Sequence, residues 1–167
     1  LPSKAKYLND ITIAMAYYSL GKIEEARKSL EKLVDVEPKF PPVIRFWYYK
    51  AWLYYFLETK EIEKIKTLLE QSRLIIDNVP TKFKSQLSSN YNNLTARYYV
   101  LANIHLNLAE QEFSKIYKMN LPKLHVVSNV YYLGVIAYKQ NDFRRALECF
   151  KSVEKNGNKL IFVQKAL

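Results

Sequence analysis

Glycine is almost missing from this chain, with three in 167 residues. Tight β-hairpins and phosphate-cradling loops need glycine where the backbone takes positive φ or must approach a ligand closely, so this scarcity argues against an all-β fold and against Gly-loop nucleotide binding. A mostly helical chain becomes the leading class. The single Cys149 excludes an internal disulfide framework and any multi-cysteine metal site, and is compatible with a reducing compartment. No signal-peptide pattern is present, and no apolar run reaches the roughly 18 uninterrupted residues of a membrane span. Charge in blocks is lacking too. The net charge of +10 comes from 26 basic against 16 acidic residues, mostly lysines scattered singly, beside glutamates or at segment ends. That distribution reads as a solvated surface rather than a nucleic-acid stripe.

What the chain does have is apolar material, 49% of its residues, enough for one substantial core. Both tryptophans and a run of tyrosines fall in Pro41 to Glu58, PPVIRFWYYKAWLYYFLE. Alone, this stretch could be a membrane span, a stacking platform for bases or the central helix of a stack. Lys50 in its middle, proline at its start and its short length favour the last.

Proline then punctuates the chain. Pro2, Pro38, Pro41, Pro42, Pro80 and Pro122 all lie between apolar-periodic segments, where proline starts a helix or ends the preceding one. They mark four units at 3–39, 41–79, 81–120 and 122–156, a spacing of about 35 to 42 residues that points to a helical-repeat array. The segment 158–167 is expected to be a capping or truncated helix. The start at Leu1 and the end inside the apolar run LIFVQKAL lead us to expect a portion of a longer protein.

Each unit is expected to hold two helices. In the first, Tyr7, Ile11, Ala14, Tyr17 and Tyr18 recur at helical spacing, Gly21 breaks the helix, and Ile23, Ala26, Leu30, Leu33 and Val34 form a second stripe. Glu24 and Lys28 stand four apart on its solvent side. In the second unit Thr59 is placed as the N-cap of a helix carrying Ile62, Ile65, Leu68, Leu69, Ser72, Ile75 and Ile76. In the third, Phe83, Leu87, Tyr91, Leu94, Tyr98, Leu101, His105 and Leu108 alternate steps of four and three, predicting one helix from Lys82 to Asn107, roughly 40 Å long, with a short partner over Glu110 to Met119 whose apolar face is Phe113, Ile116 and Tyr117. The fourth runs from Leu124 to Gln140, turns at Asn141 and Asp142, and continues from Phe143 to Glu154, with another helix expected from Lys159.

In the fourth unit, YYLGVIAYKQNDFRRALECF resembles the tetratricopeptide repeat, with Val130, Leu133, Gly134, Ala137, Ala146 and Phe150 at the pattern spacing. The first unit matches through Ile13, Ala14, Tyr17, Gly21, Ala26, Leu30 and Pro38, with Asp10 where the pattern has Trp. The second fits loosely, with bulky Ile65 at a small-residue position, and the third has no register. The resemblance implies an all-α fold, a right-handed superhelical stack of about four antiparallel helix pairs plus a C-terminal partial helix, forming one domain.

It also implies a non-enzymatic module that binds a protein or peptide along a concave groove lined by first helices. Carried over by position, that groove would hold Leu8, Ile11, Met15 and Tyr18, then Trp47, Lys50, Tyr54 and Leu57, then Tyr98 and His105, then Tyr131, Val135, Tyr138 and Lys139. Tyr49, Trp52, Leu53 and Phe56 would be core. Aromatics with a few lysines suit a partner segment with apolar anchors and some acidic character. A clamp for a C-terminal carboxylate is not expected, because Ile11 and Met15 occupy its places. The alternatives are a structural, self-associating module of a larger bacterial protein, with or without a membrane anchor, and nucleic-acid binding through the basic surface. Without a transmembrane segment here, the expected compartment is the cytoplasm.

No catalytic constellation stands out. His105 and His125 are lone residues, Cys149 sits where the helical pattern buries it, and the pairs Glu24/Glu25, Glu61/Glu63 and Glu110/Glu112 read as solvated helix faces. No cofactor or metal is expected.

Overall fold

The computed structural model describes residues 4–157 and 160–167; Pro2 and Lys159, where sequence reasoning places the first boundary and the start of the last helix, lie outside them. Every regular element among the described residues is helical. The order is α1 (Lys4–Ser19), α2 (Ile23–Glu31), a 3-10 turn (Glu37–Lys39), α3 (Pro42–Thr59), α4 (Ile62–Asn78), α5 (Thr81–Ala102), α6 (Leu106–Phe113), a second 3-10 turn (Ser114–Tyr117), α7 (Lys123–Lys139), α8 (Phe143–Asn156) and α9 (Ile161–Ala166). The chain divides within α5 into two compact units, one ending at Leu94 and the other beginning at Thr95.

The first helix of each pair stops by the same device. A residue with left-handed backbone follows it: Gly21 (φ 78°), Lys60 (φ 60°), Asn103 (φ 57°) and Asn141 (φ 63°). One residue later a backbone N–H reaches back to the last turn, from Lys22 to the Tyr17 carbonyl (2.9 Å), Glu61 to Phe56 (3.0 Å), Ile104 to Tyr99 (3.0 Å) and Asp142 to Ala137 (2.9 Å). These are Schellman closures, which satisfy carbonyls that the helix end would otherwise leave open. Glycine and asparagine adopt this conformation at little cost, whereas Lys60 is held there at roughly 1 kcal/mol.

After the left-handed residue three turns proceed alike. Lys22, Glu61 and Asp142 take φ −85° with ψ between 69° and 75°, and the second helix begins at once. Only Asp142 of these three adds a side-chain cap, its Oδ1 accepting from the Arg145 N–H at 3.1 Å. The third turn carries one residue more, His105, itself left-handed at φ 46°.

That turn corrects the expected long helix over Lys82 to Asn107. The helix ends at Ala102, His105 lies in the turn, and Leu108 is exposed on the next helix. Asparagine, the non-glycine residue most tolerant of this backbone, did the work expected of a glycine. The partner helix is displaced accordingly: it spans Leu106–Phe113 rather than Glu110 to Met119, burying Phe113 completely but leaving Tyr117 exposed in the second 3-10 turn. Thr59 is likewise the last residue of α3 and not a cap for α4, whose N-cap is Glu61.

In the first unit, Ile11, Ala14, Leu30, Leu33, Phe40, Ile44, Tyr48 and Ala51 form one buried cluster, and Phe46, Ile76, Val79 and Leu87 a second. Complete burial of a side chain such as Phe46 stabilises by about 1.5–3 kcal/mol. The α2 helix stops early at Glu31, so Val34, expected in its apolar stripe, is 52% exposed. Glu24 pairs with Arg27 (2.8 Å), which also reaches Glu31, and not with Lys28.

In the second unit Phe113 stacks on Tyr132 at 4.9 Å between ring centres, and Leu133, Ile136, Ala137, Ala146 and Val153 close the interface of α7 with α8. Glu110 and Arg145 tie α6 to α8 at 2.5 Å. At Gly134 an added Cβ would lie 2.8 Å from a Phe150 ring carbon and 2.9 Å from the Cys149 Cβ, so the small residue is required by close helix approach. Buried Arg97 donates to Ser128 Oγ (3.3 Å) and lies over the rings of Tyr132 (5.1 Å) and Phe162 (5.5 Å).

Candidate functional site

Helix α3 organises the candidate surfaces of the first unit. Pro42 at its first turn matches the φ that a helix needs, and eighteen residues carry no breaker. Nearly every position is apolar or aromatic, so the neighbours decide which strips are covered. Ile44, Tyr48 and Ala51 pack on Ile11, Ala14, Leu30 and Leu33 of the first pair. Phe46, aligned at helical spacing with buried Leu53 and Leu57, packs on Ile76, Val79 and Leu87. Two further strips lie between these and remain partly open.

One open strip carries Trp47, Lys50 and Tyr54. With Leu8, Ile11, Thr12 and Met15 of α1, Trp47 and Lys50 line a cavity of about 280 Å³. The Lys50 ammonium donates to Asn90 Oδ1 at 2.6 Å and lies 5.3 Å from the Trp47 ring centre and 5.4 Å from that of Tyr54. Asn90 is itself oriented by its donation to the Gln86 carbonyl, 2.9 Å. A cation supported in this way is pre-positioned at the cavity edge.

The structure thus brings together Leu8, Ile11, Met15, Trp47 and Lys50 of the expected groove residues. Tyr18 and Tyr54 are buried against each other, stacked at 4.9 Å, with the Tyr18 hydroxyl donating to Glu58 at 3.4 Å. Leu57 is buried. In the second unit Tyr98 is half-buried beside Tyr99, and His105 is exposed in the turn before α6. Tyr131 is half-buried among Tyr132, Phe150 and Phe162, with the Lys165 ammonium 5.0 Å from its ring. Val135 is half-buried, while Tyr138, 60% exposed, and Lys139 stand at the end of α7.

The other open strip corrects an expectation. Tyr49, Trp52 and Phe56, placed in the core by sequence, are only half-buried and wall a larger cavity of about 470 Å³, with Val34 and Leu68 opposite. Of that group only Leu53 is core. The Tyr49 hydroxyl donates to Glu37 at 2.9 Å, and Arg45 holds the same carboxylate. Burial first, and then the bond to the carboxylate, push the Tyr49 phenol up to about 12.

Sequence reasoning missed Asn90, Thr12, Val34 and Leu68 as surface formers. Early termination of α2, which no breaker announces, exposes Val34 and leaves Leu68 at the cavity wall. Burial pushes the Cys149 thiol up, so it stays protonated and is a poor nucleophile. Among the described residues no group of three or more His, Cys, Asp or Glu could hold a metal ion, and no helix is long and apolar enough to cross a membrane.

A tetratricopeptide repeat family model matches residues 11–40, which span α1, α2 and the first 3-10 turn. No curated protein and no solved structure matches the chain significantly. Repeats of this family generally mediate protein–protein interaction. The family match, the all-helical architecture and the recurring closure of helix pairs together make this chain a tetratricopeptide-like helical-repeat protein.

Proposed function

We propose that the chain is a non-catalytic module that binds a segment of a partner protein on the open surface of α1 and α3, using an apolar anchor and a neighbouring carboxylate. The observation that carries this reading is Lys50. Its ammonium is held by Asn90 at the edge of an apolar cavity formed by Leu8, Ile11, Met15 and Trp47, so one side chain can fill the cavity while an adjacent acid meets the cation. Tyr138 and Lys139 offer a second aromatic and cationic pair in the other unit. Buried Tyr18, Tyr54 and Leu57 support the surface from beneath.

Selection of displayed random peptides on the intact protein tests this directly. Enriched peptides are expected to share a large apolar residue close to Asp or Glu, and Lys50→Ala is expected to weaken them by about tenfold, the loss of one charge-assisted hydrogen bond. Leu8→Glu, at an exposed position, is expected to abolish binding while circular dichroism stays helical. Enrichment without acidic residues, or affinity unchanged by both substitutions, would sink the proposal.

A further inference from the structure

The 470 Å³ cavity lies on the opposite side of α3 from Trp47 and Lys50. It exists because α2 ends at Glu31 while α3 and α4 continue, so α2 and α4 make at most marginal contact and the aromatic strip between them is uncovered. Its volume falls in the range of small-molecule sites, about 300–1,000 Å³. Trp52 and Phe56 stack at 5.3 Å, and Trp52 meets Tyr48 edge to face, so rings from three turns of one helix form a continuous wall.

The polar groups around this wall are already engaged. Tyr48 donates to the Leu30 carbonyl at 3.2 Å and Tyr49 to Glu37. The Thr67 hydroxyl donates to the Glu63 carbonyl at 3.0 Å, and the Glu63 carboxylate accepts from Lys66 at 2.9 Å. Lys64 pairs with Glu61 while its ammonium lies 5.1 Å over the Phe56 ring. Each of these groups therefore already has a partner, so an entering polar or charged group gains little beyond what it leaves in water, whereas an apolar body gains burial. The apolar surface also ends at these paired charges, which fits an occupant sized to the cavity better than an extended protein face.

We propose that this cleft is a second binding site, separate from the peptide surface, for a neutral small molecule with an aromatic body. The two tryptophans report the two surfaces independently, Trp47 on one and Trp52 on the other.

The probe is N-phenylnaphthylamine, a neutral aromatic dye, set against its sulfonated relative anilinonaphthalenesulfonate. The expected result is saturable binding of the neutral dye that moves the Trp52 indole N–H resonance and leaves that of Trp47 in place. The sulfonate should bind at least about tenfold more weakly in spite of the +10 charge of the chain, because Lys64, the cation lining the cleft, is already paired with Glu61, and the carboxylates of Glu37 and Glu63 line it as well. Val34→Glu, at an exposed edge of the cleft, should weaken the neutral dye by at least about tenfold with the helical signal unchanged, and Leu68→Glu should do the same from the α4 side. Leu8→Glu, which disables the peptide surface, should leave dye binding unaltered. Equal or tighter binding of the sulfonate, a response at Trp47 instead of Trp52, indifference to both cleft substitutions, or no saturable binding would each overturn the proposal.

Discussion

The first and last helix pairs, α1 with α2 and α7 with α8, align without a gap, and the differences between them compensate. Ala14, Tyr17, Gly21, Ala26 and Leu30 stand at the same relative positions as Gly134, Ala137, Asn141, Ala146 and Phe150. Ala26 and Ala146 are both buried, as close approach from the second helix requires. The crossing point is filled differently. The first pair sets Ala14 with Leu30, and the last sets Gly134 with Phe150, whose ring occupies the space a Cβ would need. Total volume is conserved while its division between the helices is not, which is how packed cores tolerate change. Each pair is therefore a solution to one packing problem, and its residues are not interchangeable singly.

The largest expected effect is Leu30→Ala. Leu30 is 1% exposed at the centre of the first cluster, so its truncation should cost about 3 kcal/mol, read from urea denaturation. Next comes Gly134→Ala, expected to cost about 1–3 kcal/mol by forcing Phe150 aside. In the presence of Phe150→Leu, which recreates the division found in the first pair, that cost should fall by more than half. Strict additivity of the two substitutions in a double-mutant cycle would show that the compensation is not real. Smaller again is the effect at the turns. Gly21→Ala, at φ 78°, should destabilise by about 1 kcal/mol, while Asn141→Gly should stay within about half a kcal/mol of the wild type, since both turns need the same left-handed backbone. A larger penalty at Asn141 would mean that its side chain, and not only its backbone tolerance, holds the last pair together.

Much of this architecture was legible in the residues. The helix pairs at both ends followed from small residues, aromatics and breakers at fixed spacing, and the aromatic segment was correctly read as the first helix of the second pair. Two misreadings share a cause. The apolar series through Leu101, His105 and Leu108 kept a helical period past the true end at Ala102, because Asn103 breaks a helix only when the surrounding chain uses its tolerance for left-handed backbone. Likewise nothing near Glu31 announces the end of α2, and that ending is what exposes Val34 and opens the cleft beside Trp52.

The same limit applied to α3 itself. Periodicity identifies a buried face by contrast with a polar one, and a helix with tyrosine, tryptophan or an aliphatic residue at nearly every position offers little contrast. Local sequence alone determined that α3 is a helix, that its start is at the paired prolines, and that it belongs to a repeating series. Only the tertiary structure decided that Tyr54 and Leu57 are covered, that Tyr49, Trp52 and Phe56 wall an open cleft, and that Lys50 meets Asn90, forty residues away. Burial of an apolar side chain depends on which neighbour arrives and where that neighbour stops, and neither is a local property of the strip being covered.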